Sequence, residues 1–485
     1  MTFDDMVALL PLVVTAASAV LVMLAIAARR HHGLTSALTL AGLGAALACL
    51  PAAWAMAPRQ VTALLVIDRY ALFYIGLALS AAVAVALLSY DYLARRAGRK
   101  EEFYLLLLLA TAGAGVLAAS SHFASFFLGL ELLTVSLYAL IAFRRERAEC
   151  IEAGVKYLVL AGASSAILLF GMALVYADLG TMRFDEIAAR AGAGPHSLLL
   201  MTGTGLLLVG IGFKLAVVPF HLWTPDVYEG APAPVTAYVA TVSKGAVFAL
   251  LLRYVSLLYL NAWGVLPAAL AVLAAASMFA GNLLALRQDN VKRILAYSSI
   301  AHMGYLLVAL LAGARGHRFG TCAAAEAVTF YLVAYYVTTL GAFGVVAALS
   351  GPDRDAGSLA EFRGLLWRRP ALGVVLIAMV LSLAGIPLTA GFVGKFLVVA
   401  AGVSSALWAL IAILVVNSAI GLYYYLRIVV AVCRPPAEAW HPSEGIVPVP
   451  AGLALAALTV LLIWLGAWPG PMIDVIRGLF VNGNW

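Results

Sequence analysis

Of the 485 residues, 64% are hydrophobic and only 11% are charged, with a formal net charge of +7. Globular domains carry about a quarter charged residues, whereas here apolar runs of about twenty residues, each able to cross roughly 30 Å of hydrocarbon, recur from one end to the other. This excludes a soluble enzyme, and it excludes nucleic acid as the partner of the basic charge, because the basic residues fall in short loops between the runs.

The first run, 7–28, follows Asp4 and Asp5 and precedes Arg29 and Arg30, the reverse of a secretory signal's charge order, and reads as a retained span. Thirteen more follow at 35–57, 70–90, 103–119, 123–143, 155–177, 197–220, 232–256, 264–286, 294–313, 321–349, 371–400, 403–430 and 449–468. With the N-terminus outside, the inward loops hold eighteen basic residues and the outward loops and ends eight. That bias follows the positive-inside rule with both termini outside, and removing one span scrambles it. The four cysteines, Cys49, Cys150, Cys322 and Cys433, have no CxxC or Cys/His spacing. They support neither an iron–sulfur cluster nor a disulfide framework, so a redox centre linked to this chain belongs to a partner.

Two stretches depart from plain hydrophobicity. Residues 212–244 carry Lys214 and Lys244 with Pro219, Pro225, Pro232 and Pro234 between them, beside His221, Asp226 and Glu229. An ionisable group deep in an apolar segment costs several kcal/mol unless it faces a wet or protein-lined interior. Prolines there free carbonyls that something polar must satisfy. Snorkelling to the headgroups suits Lys244 poorly, since apolar or small residues flank it for about ten positions on each side. The second stretch is the span at 371–400, where Gly385, Pro387, Gly391 and Gly394 lead to Lys395. Two interrupted spans, the seventh and twelfth, lie five spans apart. The spacing predicts an N-terminal three-helix segment (1–102), two five-helix repeats (103–256 and 264–430) and a last helix and tail (449–485). Because five is odd, consecutive repeats enter from opposite sides and are inverted.

Glu131 lies mid-way along the fifth span. Facing Lys214 or Lys156, it and the lysine stabilise each other's charge, and separating them shifts the proton affinity of both. Lysine suits such a device because its proton is movable, whereas arginine's is not. All four basic residues counted within spans and away from loops are lysines, although arginine dominates the remaining basic positions. Lys156 stands close to the start of the sixth span, where snorkelling and function are equally compatible with its position. His302, with Tyr297, Ser298 and Ser299 one turn before it, suits a proton relay or a packed, hydrogen-bonded structural role. Tyr423, Tyr424 and Tyr425 read first as an aromatic belt.

The segments PFHLWTPDVYEGAPAPV, LAYSSIAHMGYLL, SLAGIPLTAGFVGKF and NSAIGLYYYLR resemble the antiporter-like subunits of bacterial respiratory complex I, the proton-pumping NADH:quinone oxidoreductase, and most closely the subunit N branch. The resemblance covers essentially the whole chain. It implies an all-α polytopic membrane protein of about fourteen helices, two inverted repeats with broken helices seven and twelve, and a polar axis along the membrane midplane. The family's key glutamate falls on Glu131, and its lysines on Lys214, Lys244 and Lys395; at Lys395 some sister subunits carry glutamate. The long lateral helix that one sister subunit adds after span fourteen is not expected from the resemblance here. The resemblance further implies that NADH, FMN, iron–sulfur clusters and quinone are handled by other subunits. This chain then supplies a proton path among further membrane subunits in the bacterial inner membrane. Two alternatives remain open: a subunit of a multisubunit cation/proton antiporter, and a scaffold whose buried lysines only fix packing.

Overall fold

The computed structural model describes residues 2–192, 197–258, 265–314, 322–435 and 448–480; Arg315, Arg318 and the end of the tail at Trp485 lie outside them. Thirteen described helices are long and apolar enough to cross a membrane. A further span is made of two shorter apolar helices in sequence, Pro370–Ala384 and Ala390–Ser404, which completes the fourteen. In chain order the first to sixth spans are Phe3–Ala28, His32–Met56, Arg69–Ala94, Glu101–Ala119, Phe123–Ile141 and Ala148–Leu179. The seventh runs through Leu198–Leu215, an irregular turn and the short helix Trp223–Gly230. The eighth to eleventh are Ala233–Leu257, Val265–Ala285, Val291–Ala314 and Cys322–Leu349. The thirteenth and fourteenth are Trp408–Cys433 and Val449–Ala467, followed by the amphipathic helix Gly470–Phe480.

The eighth and tenth spans form the centre of the bundle: their most apolar stretches are wholly buried, whereas the first, second and fourteenth spans keep most of theirs on the outside. Fourth packs on fifth and sixth on seventh; likewise ninth packs on tenth and eleventh on twelfth. Between apolar helices in lipid, close backbone approach through small residues takes the place of a hydrophobic drive. A Cβ on Gly113 would stand 2.6 Å from the Leu133 nitrogen in the first such pair, and one on Gly281 would stand 2.6 Å from the Ala301 nitrogen in its counterpart.

Both interrupted spans are broken in the way the Gly/Pro pattern predicts. The seventh stops at Ala216, held in the left-handed region at φ 59°, a conformation costly for a residue with a Cβ. The twelfth stops at Gly385, φ 86°, and restarts after Thr389, whose side chain caps the Phe392 nitrogen. The edges differ from expectation in one place that matters. The sixth helix begins at Ala148, not near 155, because Glu149 and Glu152 lower the hydropathy of its first turns without opposing helix. The eighth span also contains a turn of π-helix, Val239–Ser243, directly before Lys244, which no local pattern announces.

Among the described residues, one deeply enclosed ion pair joins the third and eighth spans. Arg253 of the eighth span meets Asp68 through two bonds of 2.7 and 2.8 Å, donates to the Ala118 carbonyl at 3.2 Å and lies 4.8 Å from the Tyr70 ring centre. Asp68 also caps the third span through the Ala71 nitrogen at 2.7 Å. Removing one partner of such a pair strands a buried charge, at a cost of about 3–5 kcal/mol. Asp68→Ala is therefore expected to lower the thermal inactivation midpoint of the assembled protein clearly more than Asp68→Asn does; an unchanged midpoint for Asp68→Ala refutes the anchoring role.

Candidate functional site: a line of lysines and hydroxyls through the bundle

Lys214, Lys244 and Lys395 are all buried, and they share one arrangement. Lys214 Nζ donates to Thr134 Oγ1 at 2.7 Å and lies 5.5 Å from the Tyr157 ring centre. Lys244 Nζ donates to Ser299 Oγ at 2.6 Å and lies 5.5 Å from the Tyr228 ring. Lys395 Nζ donates to Ser418 Oγ at 2.9 Å and lies 5.3 Å from the Tyr305 ring. Each ammonium thus has a hydroxyl acceptor and a tyrosine face, a cation–π distance in all three cases. Among the described residues none of the three has a carboxylate within salt-bridge distance. Lys395 also donates to the Ala384 carbonyl at 2.8 Å; that carbonyl is the one left free by the break at Gly385, as expected of an interrupted span. At the corresponding break in the seventh span, the Phe213 carbonyl accepts from both the Ala216 nitrogen and Trp223 Nε1, each at 3.0 Å.

Glu131 does not sit in the closed interior. It is half-buried on the flank of the fifth span, next to the exposed Leu128 and Leu132, and Ser165 Oγ donates to it at 2.5 Å. Glu131 and Lys214 are brought together indirectly: Thr134, which holds the ammonium, stands one turn after Glu131 on the same helix. Lys156 is not part of this group. It lies on the third turn of its helix, partly exposed, and pairs with Glu152 at 2.7 Å and Asp226 at 2.8 Å. Those carboxylates line a cleft of about 630 Å³ at the end of the bundle bearing the basic loops, with Glu229, Arg293 and Asp355.

His302 is buried with both ring nitrogens engaged, Nδ1 with Tyr331 OH at 2.7 Å and Nε2 with Tyr425 OH at 3.1 Å. Tyr335 OH donates to Ser299 Oγ at 2.7 Å, so the acceptor of Lys244 stands one turn before His302 and shares its tyrosine cage. On the other side Tyr424 OH donates to Asn282 Oδ1 at 3.0 Å, and Asn282 Nδ2 donates to Tyr305 OH at 3.1 Å, whose ring faces Lys395. The three consecutive tyrosines are accordingly not a belt. Tyr423 alone is exposed, while Tyr424 and Tyr425 are buried. Consecutive helical residues point about 100° apart, so three in a row cannot all face lipid.

From Lys244 to Lys395, then, hydroxyls, an imidazole and amides follow one another, groups that accept and donate hydrogen bonds. Between Lys214 and Lys244 the filling is aromatic instead: Tyr157 and Trp223 lie 5.0 Å apart and Trp223 and Tyr228 6.4 Å apart between ring centres. Ser165, Thr134, Tyr331, Tyr335, Asn282, Asn417 and Ser418 were not singled out from sequence, since a lone hydroxyl or amide in an apolar helix carries no spacing signal. Among the described residues no three His, Cys, Asp or Glu side chains converge to hold a metal ion.

At the basic-loop end, Asp355 joins several elements: it accepts from Tyr92 OH at 2.6 Å, from the Ala233 nitrogen at 2.9 Å and from Lys292 Nζ at 3.0 Å, and pairs with Arg96 at 3.4 Å. Burial alone would raise this carboxyl, but Lys292, the Tyr92 hydroxyl and Arg96 outweigh it and hold it below the usual carboxylate range. A depressed value of this kind stabilises the fold at neutral pH, and that contribution is lost only as pH falls through the folded-state value.

Residues 120–421 match the protein family described as NADH:quinone oxidoreductase/Mrp antiporter, TM. The chain is 51% identical over 491 aligned positions to NADH-quinone oxidoreductase subunit N of Ectopseudomonas mendocina (strain ymp), covering 98% of this chain and 97% of that one. It is 50% identical to the protein of the same name from Methylococcus capsulatus (strain ATCC 33009 / NCIMB 11132 / Bath), with 98% and 95% covered. Its structure is similar to a chain of respiratory complex I from Thermus thermophilus with bound aureothin, at 35% identity and a TM-score of 0.81, with 96% and 98% covered.

The Lys244–Ser299 contact offers a direct test. A hydrogen bond to a charged group is worth about 1.5–3 kcal/mol, roughly a ten- to hundredfold change in a protonation equilibrium. Ser299→Ala is expected to reduce proton flux through the assembled protein about tenfold, with Ser299→Thr retaining most of it. Parental flux in Ser299→Ala would remove this contact from the path.

Proposed function

The chain belongs to the NADH:quinone oxidoreductase/Mrp antiporter family of membrane proteins, and we propose that Glu131, Lys214, Lys244, His302 and Lys395 form its proton path. It is a membrane subunit of the NADH:quinone oxidoreductase type, with proton translocation coupled to electron transfer from NADH to quinone, and its partners are the other membrane subunits of that complex. In our reading the flavin, the iron–sulfur clusters and the quinone site reside on partner subunits, and the translocase activity belongs to the assembly rather than to this chain alone. The observation that carries the assignment is the hydroxyl, imidazole and amide sequence leading from Lys244 to Lys395, ending on the freed Ala384 carbonyl of the broken twelfth span.

Residues 103–256 and 264–430 would each form one half-channel, the first holding Lys214 and Lys244 and the second His302 and Lys395. The aromatic filling between Lys214 and Lys244 separates the first lysine from the rest of the line. Proton transfer across it then requires a rearrangement, for which the broken seventh span and the π-turn before Lys244 are the available joints; π-turns occur frequently at functional sites. Glu131, half-buried on the flank, would be covered by a neighbouring membrane subunit. Lys156 belongs instead to the charged mouth of the first half-channel. The antiporter alternative is distinguished by purification: as a subunit of the oxidoreductase, the chain is recovered with flavin- and cluster-bearing subunits.

Arginine separates a carried proton from a fixed charge, because guanidinium does not deprotonate in proteins. Lys395→Arg is expected to impair proton translocation severalfold per assembled complex, and Lys395→Ala at least as much. Glu131→Ala is expected to assemble yet pump less, with Glu131→Asp retaining part. The measurement is proton translocation with coupled NADH:quinone reductase activity in membranes. Arginine rescuing what alanine breaks would make Lys395 a scaffold charge.

The excess of basic residues in alternate loops supports a bacterial inner-membrane orientation with both termini on the periplasmic side. In a cysteine-free background, a cysteine at the exposed Arg99 is expected to react with an impermeant reagent only from the cytoplasmic side, and one at Asp474 only from the periplasmic side. Reversed labelling overturns the orientation.

A further inference from the structure

We propose that Asp355 is a positioning residue for proton transfer: its one carboxylate fixes the starts of the eighth and tenth spans to the third and so holds Lys244 against Ser299. The inference rests on the proton-carrying role of Lys244 given above. Asp355 lies in the loop between the eleventh and twelfth spans, and its carboxylate is buried. Oδ2 accepts from the Ala233 nitrogen, at the first residue of the eighth span, and from Lys292 Nζ, at the second residue of the tenth. Oδ1 accepts from Tyr92 OH and Arg96 Nη2 at the end of the third span. Lys292 Nζ adds a bond of 2.7 Å to the Ala231 carbonyl, tying the same two helix starts a second time.

The geometry makes this junction consequential for one contact. Lys244 is eleven residues beyond Ala233 and Ser299 seven beyond Lys292, which at 1.5 Å per residue are roughly 16 and 10 Å of helix. Donor and acceptor of the Lys244–Ser299 bond therefore extend from one carboxylate along two adjacent rods. At its other end the eighth span is held to the third by Arg253 and Asp68. With both ends fixed to the same neighbour, that span cannot slide as a body. What remains adjustable is the π-turn Val239–Ser243 between the two fixtures, directly before the lysine.

The loop itself is set by further bonds to the tenth span's start, Val291 nitrogen to Gly357 carbonyl at 2.6 Å and Leu359 nitrogen to Asp289 carbonyl at 2.9 Å, and Arg144 of the neighbouring loop donates to the Asp353 carbonyl at 3.2 Å. The charged and titratable groups facing Asp355 are Lys292, Arg96 and Tyr92, with Arg144 and Cys150 further out. Those facing Lys244 are Tyr228 and, through Ser299, Tyr335, with His302 one turn further along the tenth span.

The test uses the whole complex in membranes, with assembly read from NADH oxidation by an artificial acceptor. Proton translocation is measured across pH about 6 to 9 for the parent and for Asp355→Asn, Lys292→Met, Lys244→Met and the exposed same-loop control Arg354→Gln. Asp355→Asn is expected to assemble, to translocate severalfold more slowly and to shift the pH profile by about one unit or more. Lys292→Met should shift it likewise, and Arg354→Gln should match the parent. A parental rate and profile in Asp355→Asn, with Lys244→Met impaired, overturns the positioning role alone. Normal pumping by Lys244→Met instead shows that Lys244 is not a proton carrier and overturns both assignments. If Asp355→Asn does not assemble, Lys292→Met decides: it leaves Asp355 its Arg96 and Tyr92 partners, and an unshifted profile in the assembled variant rejects the proposal.

Discussion

Three ammonium groups stand inside a membrane-embedded bundle with no carboxylate within salt-bridge distance among the described residues, and the surrounding architecture is arranged around that constraint. A buried charge is tolerated only when its environment supplies enough polarity. Here the polarity comes in small units: a hydroxyl and a tyrosine face for each lysine, and for Lys395 a carbonyl as well. A carboxylate at contact would hold the proton on the lysine. Hydroxyls stabilise the ammonium while leaving its proton exchangeable, which suits lysine and would be lost on an arginine.

The interruptions of the seventh and twelfth spans follow from the same need. A continuous helix uses every carbonyl within itself and has none to offer an ion. Breaking the twelfth at Gly385 leaves the Ala384 carbonyl to Lys395; at the break of the seventh, the Phe213 carbonyl is shared between the Ala216 nitrogen and Trp223, which belongs to the aromatic filling between Lys214 and Lys244. One break therefore supplies an acceptor for an ion, and the other anchors a barrier. The two irregular segments look alike in sequence yet serve different ends.

Charges that are paired tightly lie away from the line of lysines. Arg253 with Asp68, and Asp355 with Lys292 and Arg96, occupy opposite ends of the central eighth span. There, fixed ion pairs lock helices to one another, since an arginine or a multiply bonded carboxylate has no proton to trade at neutral pH. With the proposed proton path, mobile charge in the middle and immobile charge at the ends would divide the labour, the rigid ends defining where the middle can move.

Much of this was legible in the residue order. Apolar runs of membrane length, the alternation of basic loops, and Gly/Pro clusters beside Lys214 and Lys395 determine the spans, their number and the two breaks, because each is a local response to the bilayer as solvent. The lysines themselves stood out because a charge in an apolar run is rare for an energetic reason. Tertiary structure alone decided which partners these charges have. It placed Glu131 on a half-buried flank, put Lys156 in a charged cleft at the basic-loop end and turned Tyr424 and Tyr425 inward. It also gathered Ser299, His302, Tyr331, Tyr335 and Tyr425 from three helices, and drew Asp355 from a loop with no periodic signal onto the starts of two helices. Hydrophobicity and helix breaking are properties of a residue and its near neighbours, whereas a hydrogen-bonded path is a property of helix faces that meet only after the bundle has packed.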